Sequence, residues 1–250
     1  MNALIVRAAL FTFIPVAAAT MGAIAAAVRP PGRKLTSALQ HAAAGVVFAA
    51  VALELIPEIR GQSPWVAIVG FAGGIAAMSA LSAVTRSLEQ RRRHRRGARR
   101  GLGAKAGLIA ATGIDLLIDG LVLGAGFAAA ERSGVLLTIA LTLELGLIGL
   151  SNAGALAEAG VHPVLNVAAV MGLGLLSTLG AGAGVAVLGG APRSVLGAML
   201  AFGAVALMYL VTEELLAEAH QVPDTYWATA VFFAGFLCYL VVAELMATSA

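Results

Sequence analysis

The chain is short of charge and short of cysteine. Only 12% of its 250 residues are charged, against about 25% in an ordinary soluble domain. So few charges cannot cover a globular surface, which argues against a soluble helical protein with an oversized core. A single cysteine, Cys238, excludes a disulfide framework and a thiolate metal cluster. It lies in an apolar run and is read as a packing residue. No ATP-binding pattern, no HExxH and no Ser–His pairing occurs, so neither an enzyme nor an ATP-driven pump is expected. The pI of about 9.5 points towards nucleic acid. Yet no aromatic or RNA-module pattern accompanies the basic residues, and nucleic acid is excluded as a partner.

Apolar residues make up 60% of the chain, and mean hydropathy is +0.94. A bilayer core needs about 20 apolar residues per helix, and runs of that length recur throughout. Eight spans are predicted, at 4–28, 35–57, 65–84, 105–130, 135–158, 163–190, 193–219 and 224–246. Short connections marked by Pro and Gly separate them: RPPGRK, EIRGQSP, a basic run, ERSG, GVHP, GGAPR and HQVPD. Unpaired backbone groups are not tolerated in hydrocarbon, and these runs are too long and too uniform for barrel strands. The expected fold is all-α, an integral membrane bundle of eight transmembrane helices forming one domain over 1–250. The first span is too long and too apolar for a cleaved signal and is read as retained.

Arginine and lysine concentrate in 29-RPPGRK-34 and in 85–105, after spans 1 and 3. The loops of the other side hold only Arg60, Arg132 and Arg193. The positive-inside rule puts the two basic connections in the cytoplasm and both termini outside. A multi-pass protein of the cell membrane is expected. The segment 85–105, a basic loop between spans 3 and 4, is expected to anchor anionic lipid headgroups.

Against this background, carboxylates at membrane depth stand out. A central one costs roughly 2.5–3.5 kcal/mol on insertion scales. Asp115 and Asp119 lie near the middle of span 4, four residues apart and on one face, with Thr112 preceding them there. Glu144 lies mid-span 5, with Ser151 and Asn152 two turns later on its side. No lysine or arginine lies at that depth; Arg7, near the outer end of span 1, is expected to snorkel to headgroups. Three such acids either hold protons or hold a cation. Their convergence favours a divalent metal, with protonated acids in interhelical hydrogen bonds as the alternative.

Two more acidic groups mark span ends. Span 2 closes with Glu54 and Glu58. Span 7 closes with Glu213, Glu214, Glu218 and His220. The segments ELIPE (54–58) and ELLAE (214–218) are alike and fall at opposite faces, as in an inverted repeat. Glu54 and Glu58 would form an entrance; His41, Glu213, Glu214, Glu218 and His220 would form an exit. His162 and His94 are read as interfacial or loop residues. The glycines of span 4 (Gly120, Gly124, Gly126) and span 6 (Gly172, Gly174, Gly180, Gly182, Gly184) are read mainly as packing positions.

The run 201-AFGAVALMYLVTEELLAEAH-220 resembles the span 7 pattern G-x-M-x-Y-x-x-x-(D/E)-E-L-x-P-E-x-H of the ZIP (Zrt/Irt-like protein) metal-ion transporters. The run 41-HAAAGVVFAAVALELIPE-58 is similar to their span 2. The resemblance implies a 3+2+3 layout with spans 1–3 and 6–8 as an inverted repeat. It also implies inward movement of zinc or a related divalent ion, with a metal site between spans 4 and 5. In the family's span 4 frame, His-Asn-x-x-(Asp/Glu)-Gly, this chain reads Asp115, Leu116, Asp119 and Gly120. In span 5 it keeps Glu144 but has Leu145 and Ile148 where relatives carry polar ligands. Ser177 stands where relatives place a span 6 glutamate. The resemblance therefore implies a metal centre reduced to one ion on Asp115, Asp119 and Glu144. Zinc comes first, with iron(II) or manganese suited to the oxygen shell. No cofactor beyond the transported ion is expected, and a homodimer is left open. The rival readings are a transporter of protons or another solute, and a non-transporting metal sensor or subunit.

Overall fold

The computed structural model describes residues 2–29, 32–94, 103–158, 161–220 and 227–248. Among them, eight helices are long and apolar enough to cross a membrane, and no strand occurs. They are α1 (Asn2–Val28), α2 (Arg33–Arg60), α3 (Pro64–His94), α4 (Gly103–Ala129), α5 (Glu131–Glu158), α6 (Pro163–Leu188), α7 (Arg193–Ala219) and α8 (Ala228–Thr248). Proline opens α3 and α6, where a missing N–H costs nothing.

Boundaries differ most from the sequence expectation in two places. ERSG is not a connection: α5 starts at Glu131, whose charge suits a helix N-terminus and which pairs with Arg7. Arg7 thus meets a carboxylate as well as the surface. The segment 85–105 is not all loop either, since α3 continues to His94 and α4 begins at Gly103. The side chain of His94 lies outside the described set.

Packing follows an inverted repeat. α1 packs along α5 as α6 packs along α4, and α2 packs along α8 as α7 packs along α3. Between lipid-soluble helices there is little hydrophobic drive, so close backbone approach at small residues supplies the contact. Those approaches fix the register of the repeat. A Cβ at Gly22 would collide with the Gly146 carbonyl, and one at Gly180, 158 positions later, with the Leu117 carbonyl. Gly149 meets Ala19 as Gly120 meets Ser177. Gly235 meets Ala42 as Gly74 meets Phe202. α1 therefore maps onto α6, α2 onto α7 and α3 onto α8 at offsets of 158, 160 and 161, and α4 maps onto α5 at 29. The 160-residue offset between ELIPE and ELLAE is the same register. Gly172 and Gly182 face open space, so close packing does not explain them.

α2 and α7 share a further feature. Each contains a π turn where the acidic segment begins, Val51–Leu55 in α2 and Leu210–Leu215 in α7. Such bulges rotate the following side chains and recur at functional sites. In α2, Pro57 removes an N–H from the ladder just beyond the turn. α7 has Ala217 at the matching position and bulges all the same, so proline is not the common cause.

Candidate functional site

The repeat register places Asp115 and Glu144 as mates, one on each of the two central helices. Both are buried, at 6% and 0% exposure, and Asp119 is at 2%. The face expected from the i, i+4 spacing is the one turned inward. The three acids and Glu214 of α7 lie within electrostatic reach of one another. Asp119 and Glu144 are close enough to hydrogen-bond if one carries a proton. As carboxylates they have no donor between them, and Asp119 Oδ2 and both Glu144 oxygens are buried without a partner. Among the described residues no lysine or arginine is buried to neutralise them. Nor do three His, Cys, Asp or Glu side chains among those residues close into a ready-made metal cage.

A cavity of about 420 Å³ reaches this group. All its lining residues belong to the halves of the helices nearest the basic segment. Thr112 and Asp115 of α4, Ser151 and Asn152 of α5, and Glu213, Glu214 and Glu218 of α7 line it. Asp119 and Glu144 do not line it but interact with Asp115, which does. Of the expected exit residues, the three glutamates take that place. Glu218 accepts hydrogen bonds from Gln40 Nε2 and from Ser151 Oγ, the latter at 3.4 Å. His41 and His220 come together beside the mouth, with ring centroids 5.2 Å apart, but they do not line it.

At the opposite face, Glu54 is buried in the π turn of α2 and accepts a bond from Ser133 Oγ at 2.9 Å. Tyr239 of α8 lies near it with a buried, unpartnered hydroxyl. Glu58 is exposed. The expected entrance is therefore half open, with its outer acid reachable and its inner acid covered.

No family model matches the chain, and no curated protein matches it.

Sequence reading missed Gln40, Arg86, Ser133 and Tyr239. Gln40 and Tyr239 are polar groups in apolar runs and were visible as such, but only contact between helices gives them roles. Ser177 is fully buried with an unpartnered hydroxyl, against the backbone at Gly120. Cys238 is not a packing residue; it is exposed on α8 among outward-facing apolar side chains. His162 is exposed at the start of α6, as an interfacial residue should be.

Proposed function

We propose that this chain is a membrane transporter that moves a divalent cation towards the cytoplasm through a mid-membrane site on Asp115, Asp119 and Glu144. Zinc is the first choice because of the ZIP resemblance, and iron(II) and manganese follow because the shell is all oxygen. The basic face is taken as cytoplasmic.

One observation carries this reading: buried carboxyl oxygens without partners sit beside Asp115, which lines an acid-rich cavity, and no buried lysine or arginine among the described residues balances them. Acids in the apolar interior are costly unless something neutralises them in the working cycle. A cation does so for several at once. Binding would draw the carboxyls together, because like charges repel and the described side chains do not already form a cage. An ion arriving past Glu58 and Glu54 would pair with Asp119 and Glu144, pass to Asp115 and Glu214, and leave past Glu213 and Glu218. The inverted repeat supplies the second conformation: exchanging the shapes of the two halves closes one mouth and opens the other.

A second reading, proton or other solute transport, draws on the Asp119–Glu144 approach, which suits a shared proton. Uptake of radiolabelled zinc, manganese and iron(II) into proteoliposomes separates the two. Metal flux that is lost in both Asp119→Ala and Glu144→Ala supports the first. Proton movement without flux of any metal supports the second. Metal flux indifferent to both substitutions removes the assigned site.

A further inference from the structure

The repeat register matches acid to acid on the pathway: Glu54 with Glu214, and Glu58 with Glu218. One pair breaks the match. Arg86 of α3 lies 3.9 Å from Glu213 of α7, and both line the cavity at the basic face. Their mates at offsets of 161 and 160 are Ala247 and Leu53, so the opposite mouth has no counterpart. Among the described residues Arg86 is the only cationic side chain lining the cavity, which it shares with Asp115, Glu213, Glu214 and Glu218.

We infer that Arg86 is a tethered counter-cation that competes with the transported ion for the acids of the basic-face mouth, and so biases release to that side. The inference rests on the transport reading above. A structural ion pair would be buried and fixed. This one is 72% and 52% exposed, in the range where ion pairs are weak and screened by salt. Guanidinium also presents several donors in a fixed fork, so it can engage one carboxylate after another as the ion departs. The divalent ion then leaves a mouth that is already partly neutralised. At the other face the matching places hold alanine and leucine, and Arg132, which with Glu54 lies within electrostatic reach of Tyr239, donates instead to the Ala243 carbonyl.

The test uses sided membrane vesicles containing the full chain, right-side-out and inverted, with zinc flux measured from each face. Arg86→Gln is expected to lower the half-saturating zinc concentration at the basic face by roughly twofold to fivefold. The value at the opposite face should not change. Glu213→Gln is expected to raise the basic-face value, because it removes an acid and frees Arg86 for the others. Arg86→Lys should stay near wild type, and the Arg86→Gln shift should shrink at high salt. A pair that merely braces α3 against α7 would move both variants in the same direction. That outcome, an equal shift at both faces, or no shift at all overturns the inference while leaving transport intact. Wild-type vesicles that carry no zinc, manganese or iron(II) would instead overturn the functional reading itself.

Discussion

At the basic face, Glu214 looks into an open cavity and Glu218 is held by Gln40 and Ser151. At the opposite face, the mate of Glu214 is Glu54, and it is covered and bonded to Ser133. The mate of Glu218 is Glu58, which is exposed. The two mouths use the same acids on the same bulged helices and differ in what surrounds them. The polar lining residues Gln40, Ser151 and Asn152 map onto Leu200, Val122 and Leu123. Repeat symmetry therefore places the acids, while local sequence decides how wet each mouth is. The cavity described lies on the side of the basic segment.

The strongest challenge to the comparison is steric. Gly22→Leu and Gly180→Leu place a side chain against equivalent backbone carbonyls. Overpacking of this kind costs about 1–3 kcal/mol or more. Both variants should lose most of their yield of monodisperse protein, and to a similar degree. A large difference between them would break the register. Next come the paired acids. Glu54→Gln and Glu214→Gln should each reduce metal flux by about tenfold or more, the size of a lost charge-assisted contact. Full activity in one and none in the other would mean that the mates do not share a role.

Ser133→Ala tests the closed mouth alone. It removes one hydrogen bond, a net of about 0.5–1.5 kcal/mol. Amide exchange in residues 51–60 should quicken by roughly threefold to tenfold, with no change around 210–219. The smallest effect belongs to Arg7→Ala, which breaks an exposed ion pair to Glu131. Such a pair contributes about 0–1 kcal/mol, so thermal stability should fall by no more than a few degrees.

The eight spans were legible because a bilayer leaves little choice: apolar runs of spanning length must be helices. The inward face of Asp115 and Asp119 was legible from their four-residue spacing. The repeat was visible only as five similar residues, because helix packing conserves small side chains and backbone approach rather than a pattern of letters. Glu214 joined the central acids unexpectedly, since the π turn of α7 cannot be seen from helical periodicity. Ser133 and Arg86 were invisible for a related reason: each acquires a partner only across helices far apart in sequence. The start of α5 was misplaced because Glu131 and Arg132, charged and next to glycine, read as a turn.

The central claim is that the buried carboxyls hold one divalent cation. Equilibrium binding of zinc and manganese to the purified chain, by isothermal titration, tests it most directly. One ion per chain is expected at the central site, lost in Asp115→Asn/Asp119→Asn/Glu144→Gln. Wild-type protein that binds neither ion, or a triple variant that binds as well as wild type, would contradict it.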